Sequence, residues 1–294
     1  MLLLISDAFD ASLSTLLSAF GEVTTDKTRV GEADVILVRS KTKCTREYID
    51  SAKNLKLIIR GGVGIDNIDS AYANEKGIIV RNTPKSSAIA VAELTFALML
   101  SVPCHLVEVH NGMKNHEWMK STKRTELYGK TLALLGIGNI ASMVALRAAA
   151  FGMKVVAYDK YVSSSPVATM KESVEEAVKD ADYISMHLPL TDETRGIMCT
   201  NIFQHCTKSP VVINTGRGAC IDANAMKQAL MDGTISHYAT DVYPSDPPSE
   251  DYPLLSCDKV TLTPHIGAGT VENLLRIGDE AVAIITELIK GGKL

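Results

Sequence analysis

Two residues in this chain have the type and setting to do chemistry: Arg217 in Asn214-Thr-Gly-Arg-Gly218, and His265 in Thr263-Pro-His-Ile-Gly-Ala-Gly269. Each follows a short apolar run. A guanidinium flanked by glycines has backbone freedom and little cover, and it offers two parallel N–H donors to a carboxylate. Imidazole is the usual group for taking a proton from an alcohol near neutral pH. An acid behind such a histidine orients its tautomer and holds the imidazolium that forms. Asp241 ends another apolar run, and Asp246 follows on the loop Pro244-Ser-Asp-Pro-Pro248, with Glu250 and Asp251 as further candidates. The competing reading is structural: a solvated loop arginine, a packing histidine and acids that cap turns. His105, His110, His116, His205 and His237 have no comparable setting and read as surface or packing residues.

A second pattern binds rather than reacts. Leu132-Ala-Leu-Leu-Gly-Ile-Gly-Asn-Ile-Ala141 is an apolar strand running into G-x-G-x-x-A, and Val155-Val-Ala-Tyr-Asp159 is a strand that ends in an acid. Gly136 permits the tight turn, Gly138 lets a pyrophosphate approach the backbone, and Ala141 keeps the following helix close to the strand. Asp159 lies 23 residues after Gly136, near the spacing of the acid that accepts bonds from both ribose hydroxyls. A carboxylate there repels a 2′-phosphate, so NAD is expected over NADP, and Lys160 softens that preference slightly.

A third pattern attracts anions. Arg60-Gly-Gly-Val-Gly-Ile-Asp66 ends a strand in a glycine-rich turn, whose backbone N–H groups around Gly62, Val63 and Gly64 make a nest. Arg39 ends the neighbouring apolar run, and with Arg60 it forms a cationic lip. The alternative is that both arginines serve solubility. No paired-cysteine or H-x-E spacing points to a metal, and G-x-S-x-G is absent.

These residues need strands to carry them. Apolar runs at 2–6, 35–39, 57–60 and 78–81, with helical patterns such as 45–52 and 70–75 between them, read as a small open α/β domain. A long apolar helix runs from Ser86, its expected N-cap, to Leu100. From Lys130 six further strands follow, at 131–135, 155–159, 183–188, 211–215, 238–242 and 259–263, the count of a doubly wound dinucleotide-binding (Rossmann) domain. A last helix over 270–290 is left over, so it is expected to return to the first domain. That places the substrate domain at 1–87 and 268–294, and the nucleotide domain at 88–267.

Composition narrows the class. A chain of 294 residues with 46% hydrophobic and 22% charged residues suits a two-domain soluble protein. A net charge of −4 with signs interspersed speaks against nucleic-acid or membrane partners. The six cysteines are scattered, as expected for free thiols in a reducing cytoplasm. The apolar start lacks a basic n-region and is too short for a signal peptide.

Taken together, the chain resembles the D-isomer-specific 2-hydroxyacid dehydrogenase family over nearly its whole length. Val38-Arg-Ser40, the Arg60 motif through Asp69, Asn82-Thr-Pro84, Ala92-Glu-Leu94 and Glu126-Leu-Tyr-Gly-Lys130 match it in order. So do the Gly136 motif, His187-Leu-Pro-Leu-Thr-Asp-Glu-Thr194, Ile213-Asn-Thr-Gly-Arg-Gly218, Asp241-Val-Tyr243 and Pro264-His265. Within the family, the segments around Arg39, Arg60 and Glu126 most resemble the phosphoglycerate dehydrogenase branch, in a short form without its regulatory domains.

The resemblance implies a flavodoxin-like substrate domain beside the Rossmann domain, and a homodimer paired through the helix from Ser86 and the segment to about Tyr128. It implies that Arg217 holds the substrate carboxylate and carbonyl, that His265 is the acid/base at the C2 oxygen, and that Asp246 stands behind His265. Gly62, Val63 and Gly64 would bind the carboxylate, and Arg39 and Arg60 a substrate phosphate. Gly136, Gly138, Asn139, Ile140, Asp159, Leu188, Thr215, Gly216, Asp241 and Ala268 would line the NAD site. The substrate it favours is 3-phosphoglycerate, the first step of serine synthesis, with glyoxylate or hydroxypyruvate reduction as the rival. An NAD-sensing corepressor on the same fold is a remote alternative, and a formate dehydrogenase is disfavoured because it has no use for an acid/base histidine. This chain departs from the family at three positions: Asp246 replaces the usual Glu, Asn139 replaces an Arg, and Ala141 replaces the third glycine. Loss of the charge at Asn139 is expected to weaken NAD binding by about 1 kcal/mol.

Overall fold

A computed structural model describes residues 1–294. The chain divides into two compact units, Met1–Ala90 with Ala268–Leu294, and Val91–Gly267.

The first unit is built on β1 (Leu2–Ile5), β2 (Glu22–Thr24), β3 (Val35–Val38), β4 (Leu57–Arg60) and β5 (Ile79–Asn82). All pair in parallel in the order β2-β1-β3-β4-β5, which is the flavodoxin-like order. β1 and β3 are apolar at every position because helices cover both faces of the sheet. Alternation sends Leu4, Ile36, Val38 and Ile58 to one face, against Ile49 and Ala73 of the Arg46–Ser51 and Ser70–Glu75 helices. Leu3, Val35, Leu37, Leu57 and Ile59 go to the other, against Leu13, Leu17, Ala281, Ile285 and Leu288. The last three belong to the Val271–Lys290 helix, whose buried positions recur at helical spacing. Thr270 starts this helix by accepting a bond from the Asn273 N–H at 3.1 Å.

The second unit holds β6 (Thr131–Leu135), β7 (Lys154–Tyr158), β8 (Thr169–Met170), β9 (Tyr183–Met186), β10 (Val211–Asn214), β11 (His237–Thr240) and β12 (Val260–Leu262). They form one parallel sheet in the order β12-β11-β10-β9-β6-β7-β8. Strand order reverses between β6 and β9, so the crevice at their carboxyl ends is the topological switch point where such sheets bind ligands. Ala141, Val144, Ala145 and Ala148 of the Asn139–Ala150 helix pack on one face with Ala92, Phe96 and Met99. Ile202, Phe203, Met226 and Leu230 pack on the other.

The doubly wound sheet and the smaller α/β unit agree with the sequence reading. Three elements differ. β2 and β8 are additional strands of three and two residues at sheet edges, which makes the second sheet seven-stranded rather than six-stranded. Ser86 does not open its helix, which runs over Ala88–Ser101. Its hydroxyl instead meets the Arg276 carbonyl and the Glu280 carboxylate, so the Val271–Lys290 helix takes the bonds a cap would have used. No single helix is long and apolar enough to cross a membrane.

Candidate active site

The turn after β6 is shaped for close approach. Gly136 has φ 89°, and a side chain there would meet the His187 carbonyl oxygen at 3.0 Å. Its N–H donates to the Tyr158 carbonyl at 2.8 Å. Gly138 stands at the N-cap of the Asn139–Ala150 helix, and no side chain caps that end. A Cβ on Gly138 would point into open space. Uncapped amides at the positive end of a helix, with room before them, form an anion seat. Asn139 and Ile140 form the first turn, and Ala141 is fully buried against the sheet.

Asp159 follows β7 and is half-buried. One oxygen accepts from the Ile137 N–H at 3.0 Å, the other from the N–H groups of Tyr161 and Val162 at 2.9 and 3.2 Å. The carboxylate is therefore fixed between both loops, and the oxygen that meets Ile137 keeps acceptor capacity. Lys160 turns away to Glu193, with Nζ 2.6 Å from both carboxylate oxygens, and this partner raises its pKa. Leu188 is half-buried in the loop after β9. Beside it, His187 has its Nδ1 enclosed without a partner, and Nε2 lies 2.9 Å from Ser185 Oγ. Burial lowers its pKa to about 4.

The loop after β10 packs tightly. Thr215 is buried, with its hydroxyl 2.9 Å from that of Thr95. A side chain on Gly216 would come within 3.0 Å of the Met186 carbonyl oxygen, and one on Gly218 within 2.2 Å of the Tyr243 carbonyl carbon. Between them, Arg217 is held by its own backbone: the Asn214 amide donates to its carbonyl at 3.0 Å, and Nη1 donates to the Gly216 carbonyl at 2.8 Å.

Asp241 is 2% exposed and acts as a staple. Its carboxylate accepts from the Thr263 hydroxyl at 2.7 Å, the Ile266 N–H at 2.8 Å and the Gly267 N–H at 2.7 Å. These bonds frame His265, which sits at φ 56°. His265 Nδ1 pairs with the Asp246 carboxylate; of the acids left open by the sequence, Asp246 is the one that makes this contact. With Nδ1 donating, Nε2 is the nitrogen left to exchange a proton.

In the first unit, Arg39 is half-buried. Its guanidinium donates to the Ala8 carbonyl at 3.4 Å and the Ala268 carbonyl at 3.3 Å. Burial lowers its pKa, which the Asp7 charge opposes. Arg60 folds back over Gly62: Nη1 donates to the Gly61 carbonyl at 3.3 Å, and a Cβ on Gly62 would fall 1.6 Å from that nitrogen. Gly62 has φ 141°, and its N–H donates to the Thr83 hydroxyl at 2.7 Å. Val63 is 38% exposed, and its carbonyl accepts from the Asn82 amide at 2.5 Å.

Sequence reading did not single out Asp7, Asn67, Thr83, Thr95 or Glu193. Each acts through a partner at least 20 positions away, a pairing no local pattern encodes. Asn67, Thr83 and Glu193 lay inside quoted motifs but had no role assigned there.

The profile described as D-isomer specific 2-hydroxyacid dehydrogenase, NAD binding domain, matches residues 96–267. Among curated proteins, a D-3-phosphoglycerate dehydrogenase of Methanocaldococcus jannaschii is 42% identical over 90% of this chain and 51% of its own length. The chain thus spans about half of that relative. A hydroxypyruvate reductase of Thermotoga maritima is 42% identical over 86% of this chain and 84% of its own. Among solved structures, D-lactate dehydrogenase from Aquifex aeolicus complexed with NAD and lactic acid superposes with TM-score 0.87 and 29% identity, covering 99% of this chain and 96% of that one.

Proposed function

The chain belongs to the D-isomer specific 2-hydroxyacid dehydrogenase family, and on that premise we propose that it oxidises or reduces a small D-2-hydroxyacid with NAD, 3-phosphoglycerate being the favoured substrate. The cofactor fits the residues present: an uncapped helix end, open space at Gly138 and a fixed Asp159 carboxylate suit the pyrophosphate and ribose of NAD. NAD supplies the uptake or return of a hydride. Arg217 clamps the substrate carboxylate, joined by the backbone at Gly62, Val63 and Gly64. His265 Nε2 takes the proton from the C2 hydroxyl, and Asp246 stabilises the imidazolium through Nδ1. Asn139, Ile140, Leu188, Thr215, Gly216 and Ala268 line the cofactor, and Asp241 fixes the loop that follows His265.

One observation favours a phosphorylated substrate: the half-buried Arg39 guanidinium rests on two carbonyls and forms no ion pair with a carboxylate. A half-buried cation whose hydrogen bonds go to neutral carbonyls has charge and donors to offer an anion. Arg60 is the second phosphate contact. The likeness to the hydroxypyruvate reductase, most of whose length the chain spans, supports the second reading, reduction of an unphosphorylated 2-keto acid.

NADH consumption with phosphohydroxypyruvate, hydroxypyruvate and glyoxylate separates the two. Turnover confined to the phosphorylated acid supports the first reading, and turnover of the others alone overturns it. Arg60→Ala then raises KM for the phosphorylated acid far more than for an unphosphorylated one, and equal effects refute the phosphate role. Ordinary turnover of any of these acids also disposes of a purely NAD-sensing regulator.

The chain acts as a homodimer in this proposal. A groove of about 770 Å³ lined by Leu100, Leu106, Val109, Met113 and Trp118, with Trp118 76% exposed, is an apolar surface of the kind that pairs. Gel filtration at the monomer mass of 31.7 kDa refutes it.

A further inference from the structure

The turn over residues 39–42 is gripped from two sides by side chains far from it in sequence. Asp7, whose side chain is 3% exposed, accepts from the Arg39 N–H at 2.6 Å, the Thr42 N–H at 3.1 Å and the Thr42 hydroxyl at 2.6 Å. Asn67 completes the grip from the opposite polarity. Its amide donates to the Arg39 carbonyl at 2.7 Å and the Thr42 carbonyl at 2.6 Å. Both ends of the turn therefore have N–H and C=O tied off, while Ser40 and Lys41 between them are exposed.

The two gripping residues are themselves held. The Asn67 carbonyl accepts from the Cys44 N–H at 2.8 Å, and the Cys44 carbonyl from the Asp69 N–H at 3.0 Å. Asp7 is followed by Ala8, whose carbonyl anchors the Arg39 guanidinium. One acid thus fixes the Arg39 backbone and the segment that aims its side chain. The cost of holding a half-buried guanidinium in one place is met by this scaffold before any ligand arrives, which is what preorganised recognition requires.

We propose that Asp7 and Asn67 are positioning residues that hold the 39–42 turn as a preformed seat for a phosphomonoester, so that preference for a phosphorylated acid depends on this clamp as well as on the Arg39 charge. The proposal rests on the reading of the substrate as a phosphorylated 2-hydroxy or 2-keto acid. A merely structural clamp lowers stability and leaves the preference unchanged. A positioning clamp moves KM for the phosphorylated acid and spares the rest.

The test uses the full chain with Asn67→Ser, Asp7→Asn and Arg39→Ala. Steady-state rates are measured on phosphohydroxypyruvate and hydroxypyruvate, alongside the inhibition constant of inorganic phosphate and the thermal midpoint. Asn67→Ser is expected to lower kcat/KM for the phosphorylated acid by about 10- to 100-fold, chiefly through KM, while kcat/KM for the unphosphorylated acid changes by about twofold or less. Inhibition by inorganic phosphate weakens in parallel. Asp7→Asn acts the same way; if it fails to fold, Asn67→Ser carries the test. Should both folded variants keep the parent's ratio between the two acids and its phosphate inhibition, the clamp is structural and the proposal is overturned, even where Arg39→Ala collapses the ratio. Should the parent itself show no preference and Arg39→Ala change nothing, the phosphorylated-substrate reading fails, and the clamp proposal falls with it.

Discussion

His265 Nδ1 donates to the Asp246 carboxylate, and this contact is made from a backbone at φ 56° that a histidine seldom adopts. The strain is held by Asp241, which takes the N–H groups of the next two residues. One acid thus sets the backbone of His265 and another sets its ring. Asp246→Asn keeps the shape but removes the acceptor charge that supports an imidazolium. It is expected to lower kcat by about 100-fold or more with little change in KM, while Asp246→Glu retains most activity. Steady-state kinetics on the preferred acid decides this: a kcat for Asp246→Asn within a few-fold of the parent removes Asp246 from the mechanism.

Two glycines near the site give opposite outcomes on adding one methyl group. At Gly218 the new Cβ would lie 2.2 Å from the Tyr243 carbonyl carbon, and backbone cannot swing aside as a side chain can. Gly218→Ala is expected to cost about 3 kcal/mol or more in stability and to displace Arg217. At Gly138 nothing lies within 4 Å of the new atom, and φ −75° suits any residue. Gly138→Ala should keep the parent's thermal midpoint and weaken NADH binding about tenfold by blocking the anion seat. Thermal melts and NADH fluorescence titration check both. A destabilised Gly138→Ala, or one that binds NADH as the parent does, contradicts the assignment.

The pattern of what sequence revealed follows from the range of the interactions. β4 and β6 were legible to the residue because three or four consecutive buried apolar positions leave a strong local signal. β2 and β8 were not, since an edge strand of two or three half-exposed residues has no periodicity to read. Gly136, Gly138 and Asp159 were legible because a tight turn, a close approach and a strand-ending acid each demand one residue type at fixed spacing. The pairing of His265 with Asp246 spans 19 positions, so the local pattern left Glu250 and Asp251 open beside it and only the family resemblance pointed to Asp246. The grip of Asp7 on Arg39 spans 32. Asp241 was visible as a strand-ending acid, but its bonds to Ile266 and Gly267 were not.

Cofactor choice depends on where Lys160 points. Its ammonium is bound to both oxygens of Glu193, so it is not offered to a 2′-phosphate beside Asp159. Glu193→Gln removes the charge that holds it. That variant is expected to bind NADPH about two- to fivefold more tightly than the parent, with NADH affinity little changed, since an exposed ion pair of this kind is weak. Fluorescence titration with both nucleotides reads the ratio directly. An unchanged ratio shows that Asp159 alone excludes the phosphate.

Acid stability turns on two desolvated imidazoles. His187 and His237 each bond through Nε2 to a hydroxyl, at 2.9 Å from Ser185 and Thr261 respectively. Burial lowers both pKa values from 6.5 to about 4. Both are neutral in the folded chain across the interval where the unfolded chain gains protons. Their contribution is complete above about pH 6.5 and is lost as pH falls toward about 4, because unfolding then takes up protons. Carboxylates that hydrogen bonds hold below their usual range, such as Asp50, add their own loss below about pH 5.5 and leave the window above it to the histidines. Urea unfolding between pH 7 and about 5.5 should therefore show stability falling with acidity, with an uptake approaching about two protons at the lower end. His187→Gln keeps a hydrogen-bonding side chain that cannot titrate, and should reduce that uptake by about one proton. The same slope in His187→Gln as in the parent means that His187 is protonated in the folded chain and is not enclosed as the structure has it.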